Sequence, residues 1–328
     1  MKYASIDIGT NTLRLLVAEV DSRGALKPLI YDRAITRLGG GYTEGHGIDG
    51  GSAERTLSAL EAFKEVLTGE AVESVVATAT SVVRRARNRD RFLREIEERT
   101  GIRAEVISGE EEARLSLIGV LSVLNDTSGR MLVVDIGGGS TEFIAAEGGA
   151  LLGSWSMEMG VVHLTEDYLK NDPPEERELH SMEASVSGVL RELKARMEAA
   201  HMEPSLYGGG GGSTGARLVG TAGTITTLAA LDQDLDVYDR DKINNYTLTR
   251  ERVAELYRGL AGITMREREK ILSLEKGRED LIIPGSAIVF LTMEAFGFGE
   301  MTVSDAGLLE GIIIDGVRKG AETEQTEV

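Results

Sequence analysis

One short pattern occurs twice in this sequence, and it limits the available folds more than any other feature. Ile6-Asp7-Ile8-Gly9-Thr10-Asn11-Thr12-Leu13-Arg14-Leu15-Leu16 aligns without gaps with Val134-Asp135-Ile136-Gly137-Gly138-Gly139-Ser140-Thr141-Glu142-Phe143-Ile144. Each copy is an apolar strand ending on Asp, a Gly/Thr/Ser turn, and a second apolar strand. Two copies one domain length apart predict two related domains in a chain of 328 residues. One such hairpin needs glycine only for its turn. A pair, with a third Gly/Thr turn at Gly220-Thr221-Ala222-Gly223-Thr224, points to a ligand.

The residue types point to phosphate. Glycine lets the backbone approach a ligand and turns successive N–H groups toward anionic oxygens. Thr and Ser hydroxyls add donors. An Asp at each strand end can hold a hydrated Mg²⁺ ion, or another divalent cation, that neutralises phosphate charge. Arg14 and Glu142 occupy the same repeat position, so one copy offers a cation and the other a carboxylate.

Around the repeat, strands alternate with helices, which is an α/β pattern. The periodicity predicts a hairpin and meander from Ala4 through a turn at Asp21-Ser22-Arg23-Gly24. It predicts a glycine-rich loop over 39–51, a helix over 52–68, a buried strand over 72–80 and a helix over 90–100. A strand over 104–107 precedes Ser108-Gly109-Glu110-Glu111, which reads as a capping box opening a helix to about Leu124. Further on come a core strand at 131–136, an amphipathic helix over 174–201, a glycine run at 208–212 read as a loop, and a polar tail after Lys319. Trp155, Met157 and Met159 read as packing residues.

Composition removes several function classes. There is no cysteine, hence no disulfide, thiol catalysis or thiolate metal site. No apolar stretch reaches the ~20 residues that cross a bilayer, and the N-terminus runs directly into a strand without a leader pattern; a cytoplasmic enzyme is expected. A net charge of −18 disfavours binding to duplex nucleic acid. Against that charge, Arg84, Arg85, Arg87, Arg89, Arg91 and Arg94 crowd into one stretch with only Asp90 opposing them. The stretch either recruits a polyanion or is a solvated helix face paired with Glu95, Glu97 and Glu98.

Taken in order, these segments resemble the Ppx/GppA phosphatase family. The resemblance is carried by Asp7 to Thr12, Ala79 to Asn88, Val106 to Leu115, Asp135 to Glu142, Gly220 to Thr224, Asp280 to Gly285 and Gly307 to Gly311. It implies two ribonuclease-H-like domains of the actin/hexokinase/Hsp70 type with a cleft between them. The implied boundaries are 1–123, completed by a helix at about 307–320, then 124–306, and a flexible tail at 321–328. It also implies hydrolysis of a terminal phosphoanhydride, in polyphosphate or in pppGpp, with Mg²⁺. Three positions depart from the family pattern. Ala222 stands where a glycine is usual, and His163 and Leu309 where arginine is frequent. Ala222 is expected to shift its loop, and the other two to reduce cationic reach.

On residues alone, Glu110, Glu111 and Glu112 are equivalent candidates for placing the attacking water. The resemblance selects Glu112, and it selects Arg84 as the phosphate clamp. The phosphate-binding set is Gly9, Thr10, Asn11, Thr12, Arg14, Arg84, Gly137, Gly138, Gly139, Ser140, Thr221, Gly223 and Thr224. The metal set is Asp135, Glu142 and, second, Asp7. Arg85 and Arg87 are expected on an exposed face. The expected partners are the polyanionic substrate and a second copy of the chain in a homodimer, not a membrane. The competing readings are an ATP-dependent small-molecule kinase and a non-catalytic nucleotide-binding module of the same superfold.

Overall fold

The computed structural model describes residues 1–326 except 22–24, 203–205, 207, 209–214, 272–273 and 275–276, and it describes no side chains beyond 319. The turn expected at 22–24 and most of the glycine run therefore lie outside the described residues. The chain forms two compact units, Met1–Ser122 with Gly307–Val328, and Val123–Ala306.

The first unit opens as the expected meander, β1 (Lys2–Ile8), β2 (Thr12–Val20) and β3 (Leu26–Ile35). It continues through α1 (Gly50–Gly69), β4 (Ser74–Ala79), α2 (Ser81–Arg85), α3 (Arg89–Thr100), β5 (Ala104–Val106) and α4 (Gly109–Leu121). The sheet order is β3-β2-β1-β4-β5, with β1 to β3 antiparallel and β4 and β5 parallel to β1. This is a ribonuclease-H-like sheet. The period-2 alternation of β2 covers both its faces. Leu13, Leu15 and Val17 join the core built with α1 and α3, while Leu16 and Ala18 face Leu309 and Ile313.

Three local expectations change. α1 begins inside the glycine stretch because the Asp49 carboxylate caps the Gly51 and Ser52 N–H groups at 2.9 and 3.1 Å. β4 is buried only over Ala77–Ala79. β5 pairs with just those residues, so Ser74, Val75 and Val76 have no strand on that side and stand exposed. The capping box at α4 is half made. Ser108 accepts from the Glu111 N–H, but the Glu111 carboxylate is taken by Arg114.

The second unit holds β6 (Arg130–Ile136), β7 (Thr141–Glu147), β8 (Ala150–Met157), α5 (Val161–Tyr168), α6 (Glu176–Ala199), β9 (Arg217–Thr221) and α7 (Gly223–Asp232). After these come α8 (Arg240–Ile243), β10 (Thr247–Thr249), α9 (Arg250–Ala261), α10 (Met265–Arg268), α11 (Ile282–Phe296) and β11 (Glu300–Val303). Its sheet runs β10-β11-β9-β6-β7-β8. Leu132, Val134 and Ile136 of β6 enter the core with Phe143, Leu218 and the apolar faces of α6 and α11. Met157 and Met159 are buried there, and Trp155 packs against it, as the sequence predicts.

The chain then returns to the first unit as α12 (Leu308–Thr326). Its backbone is helical over 321–326, where a flexible tail is expected. Ala, Glu and Gln in that stretch are strong helix formers, and they extend a helix already nucleated by packing. α12 lies very close to α4. A Cβ on Gly311 would fall 1.8 Å from the Leu115 carbonyl oxygen, and one on Gly119 would fall 1.8 Å from that of Gly307.

Candidate active site

In the first unit three strand ends gather the sequence-predicted residues. β1 pairs with β4 at Ile8 and Ala79, and β4 pairs with β5 at Ala79 and Val106. The carboxyl ends of three adjacent parallel strands thus release the Asp7 turn, the Arg84 helix and the Glu112 helix on one edge. That edge is where open α/β sheets bind ligands.

The Gly9 N–H donates to the Thr12 carbonyl at 3.2 Å, closing the turn. A Cβ on Gly9 would lie 2.8 Å from that same oxygen, so the turn needs glycine there. The segment 36–39 supports it from behind. The Thr36 and Arg37 N–H groups donate to the Asn11 carbonyl at 3.1 and 2.9 Å, and the Gly39 N–H donates to that of Thr10 at 2.7 Å. With those carbonyls satisfied, Asp7 Oδ1, Thr10 Oγ1 and Asn11 Oδ1 remain buried without a hydrogen-bond partner. Buried polar atoms are rarely left so, and three in one turn mark a place that expects a ligand or water.

Asp7 and Arg14 are cross-strand partners, and Arg14 Nε and Nη2 donate to Asp7 Oδ2 at 2.9 and 2.7 Å. The sequence assigns Arg14 to phosphate. The structure gives its guanidinium a neighbour inside its own hairpin, because residues directly opposite on adjacent strands project from the same face.

Arg84 Nη1 donates to Glu112 Oε2 at 3.0 Å and to the Ile107 carbonyl at 3.0 Å. Glu112 lies in the first turn of α4 and is nearly buried. Glu111 turns instead to Arg114, which holds its carboxyl below the usual range. Arg85 departs from expectation. It is half-buried and its guanidinium sits 5.6 Å from the Tyr42 ring centroid, while Arg87 is exposed as predicted.

The second unit repeats the hydrogen bond that closes the turn. The Gly137 N–H donates to the Ser140 carbonyl at 2.9 Å, and a Cβ on Gly137 would lie 2.9 Å from that oxygen. Val161 and Val162 of α5 donate to the carbonyls of Gly137 and Gly138 at 3.2 and 2.9 Å. His163 follows on the same helix. Asp135 pairs with Glu142 on one side and with Thr221 on the other. Glu142 Oε1 accepts from the Ser140 and Ser156 hydroxyls at 2.7 and 2.8 Å. Two carboxylates directly opposite repel one another, and hydroxyl donors or a cation relieve that. Among the described residues no group of three or more His, Asp or Glu side chains is placed to hold a metal ion.

The third turn is the largest surprise. Ala222 keeps φ 73° and ψ 169°, a conformation natural to glycine. The alanine therefore occupies this turn under strain. Thr221 Oγ1 donates to the Ala306 carbonyl at 3.0 Å, and Thr224 packs where a side chain on Gly285 would stand. A Cβ on Gly223 would meet Arg278 Nη1 at 1.6 Å, so the guanidinium of Arg278 lies flat against this turn. Sequence reasoning missed Arg278, although it stands only two residues before the Asp280 motif. It also missed Tyr42 and Ser156, which carry no local signal. Leu309 is buried against Leu16, Ala18 and Ile313, and its carbonyl accepts from Ser5 Oγ at 2.8 Å. That position serves packing here rather than anion binding.

No helix among the described residues is long and apolar enough to cross a membrane. The family model for the Ppx/GppA phosphatase family matches residues 16–319. Exopolyphosphatase 2 of Mycobacterium tuberculosis is 35% identical over 95% of this chain and 98% of its own. The Aquifex aeolicus Ppx/GppA family member, known from a crystal structure, has TM-score 0.79 and 32% identity over 98% of both chains. An exopolyphosphatase structure from Cytophaga hutchinsonii has TM-score 0.84 and 27% identity over 96% of this chain and 98% of that one. With two turns of one construction, each joining two antiparallel strands of its own sheet, and with likeness along nearly its whole length, the chain belongs to the Ppx/GppA phosphatase family.

Proposed function

We propose that this phosphatase is an exopolyphosphatase that removes the terminal phosphate of inorganic polyphosphate, with pppGpp as a second substrate of the same bond type. The relatives named exopolyphosphatase support the substrate class. The observation that carries the reaction is the Arg84–Glu112 pair beside the unpartnered atoms of the Asp7 turn. Phosphoanhydride hydrolysis needs a positioned water and neutralised charge more than covalent chemistry.

In this reading Glu112 accepts a proton from the attacking water. The water oxygen bonds to the terminal phosphorus as the bridging P–O bond breaks, and the shortened chain leaves with the bridging oxygen. Arg84 holds the Glu112 carboxylate in place, and its remaining N–H groups serve phosphate oxygens. Within the first unit the turn at 9–12 offers backbone N–H and hydroxyl donors, and within the second the turn at 137–140 offers a set of the same kind. Thr221, Gly223 and Thr224 add a third set.

Mg²⁺ fits the donor chemistry. It takes one or two carboxylates plus substrate phosphates and retains water, so it needs no dedicated cage. Asp135 and Glu142, opposed across β6 and β7, would hold it, with Asp7 Oδ1 a second candidate. When bound it would neutralise phosphate charge.

Phosphate release from polyphosphate, pppGpp and ATP, each with and without Mg²⁺, tests the reading. Release from polyphosphate that Glu112→Gln abolishes is expected. Release from none of the three overturns it, and ATP turnover dependent on an added hydroxyl acceptor would establish a kinase instead.

A further inference from the structure

The arginine stretch continues beyond Arg84, and the chemistry proposed above does not use the rest of it. Arg89 Nη1 folds back to donate to the Arg84 carbonyl at 3.1 Å. Arg87 and Arg94 are exposed, and neither has an ion pair or hydrogen bond among the described residues. Arg91 is exposed too, with a loose i,i+4 contact to Glu95 at 3.4 Å. On α3, Arg91 and Arg94 share the face opposite the buried Phe92, Ile96 and Thr100. Arg87 stands just before the N-cap Asn88, and Arg87 to Arg94 spans about 10 Å along the axis.

Two features separate this ridge from an ordinary solvated face. First, its charge order opposes the helix dipole. Arg89 and Arg91 stand in the first turn with Asp90 the one acid there, while Glu97 and Glu98 fall in the last turn, where Arg99 is the one base and is taken by Glu54 and Glu61. Cations are disfavoured at an amino end and anions at a carboxyl end, and Arg94 makes no ion pair with Glu98 although the two stand four residues apart. Second, the ridge is anchored. Asn88 accepts from the Ile48 N–H and donates to the Ile48 carbonyl, both at 2.9 Å, and Arg85 lies over Tyr42. A chain of net charge −18 thus holds a cationic ridge in fixed geometry beside its candidate phosphate clamp.

We propose that Arg87, Arg91 and Arg94 form a track for the polyphosphate chain beyond its terminal phosphate, so that long chains bind better than short ones. The inference rests on the polyphosphate reading. A flexible polyanion of one repeating charge suits exposed guanidinium groups, two of them (Arg87 and Arg94) without an ion pair among the described residues and the third (Arg91) only loosely held by Glu95.

The test is an Arg87→Ala/Arg94→Ala double variant in the full chain. Its KM for long-chain polyphosphate should rise roughly tenfold with kcat kept, its kinetics on tripolyphosphate should stay at the wild-type level, and the salt dependence of long-chain binding should become shallower. An Arg87→Lys/Arg94→Lys variant should recover most of the loss. Binding of end-labelled long polyphosphate is read in parallel by fluorescence anisotropy. Wild-type binding that the alanine variant loses, without phosphate release from either protein, would uphold the track and overturn the hydrolase reading. Equal long-chain affinity and equal salt dependence in wild type and alanine variant overturn the track, whatever the hydrolysis shows.

Discussion

Arg84 Nη1 sits 3.0 Å from Glu112 Oε2 and 3.0 Å from the Ile107 carbonyl, so one nitrogen ties the start of α4 to the loop that precedes it. The glutamate is thereby held in position by a cation. Glu112→Gln preserves an oxygen for Arg84 to donate to but removes the proton acceptor. The expected result is an unchanged melting temperature with phosphate release down by about 10²–10⁴. A wild-type rate in a folded Glu112→Gln protein would remove Glu112 from the chemistry.

Ala222 gives a second prediction, this one for stability. At φ 73° and ψ 169° it occupies a region costing roughly 1–3 kcal/mol for a residue with a Cβ. Ala222→Gly relieves that strain but adds about 0.4–1 kcal/mol of unfolded-chain entropy. A net stabilisation of about 1 kcal/mol in denaturant unfolding is expected, and Ala222→Val should destabilise. Loss of stability in Ala222→Gly would show that the strain is absent.

The double turn was legible because its logic is local. Gly9 and Gly137 each sit against the carbonyl three residues on, and the sequence repeats that spacing. The α/β order and the two-domain repeat followed from periodicity. What stayed hidden was tertiary. Strand register, which sets Arg14 beside Asp7, cannot be read from one hairpin. Arg278 reaches Gly223 from a distant segment. Arg85 is drawn to Tyr42 across a loop, and Leu309 is consumed by the packing of α12.

Arg14 leads to a third prediction. The Asp7 side chain is 4% exposed, and Oδ1 already lacks a partner. Arg14→Ala strands a buried carboxylate and should cost about 3 kcal/mol. Joint replacement, Asp7→Leu/Arg14→Leu, removes both charges and should unfold at higher denaturant than Arg14→Ala alone. If the single variant is as stable as wild type, the pair does not hold the hairpin.

A fourth prediction concerns acid. Arg114 donates to Glu111 at 2.7 and 2.8 Å and to Asp315 at 2.9 Å, joining α4 to α12. Its guanidinium holds both carboxyls below their usual range, and Lys319 assists at Asp315. A carboxyl whose folded pKa is lowered stabilises the fold above its unfolded pKa and loses that contribution as pH falls through the folded value. The contribution is therefore intact at neutral pH and disappears on the acid side of the usual carboxylate range. Glu111 and Arg114 are about a third exposed, so solvent screening keeps it modest. Unfolding followed down a pH series should show a shallower acid limb for Asp315→Asn than for wild type. Parallel limbs would mean that the pair is not linked to folding.

The contact of α4 with α12 gives the sharpest stability prediction, because α4 also carries Glu112. A Cβ on Gly311 would fall 1.8 Å from the Leu115 carbonyl oxygen and 3.2 Å from the Gly119 nitrogen, which are backbone atoms that no side-chain rotation can move. Gly311→Ala must push the helices apart, opening the small cluster of Leu115, Leu308 and Ile312. Helix propensity alone favours alanine by about 1 kcal/mol, so any net loss measures the steric term. Overpacking of this kind costs about 1–3 kcal/mol, sometimes more, and with rigid backbone as the obstacle the net effect should be destabilising by about 2 kcal/mol. The nearby Gly316→Ala meets nothing within 4 Å and should be neutral or stabilising. Since a displaced α4 carries Glu112 away from Arg84, Gly311→Ala should also lower phosphate release at temperatures where the protein remains folded. Gly316→Ala should leave it unchanged. Equal stability of the two variants would show that the helices are not in the close contact described.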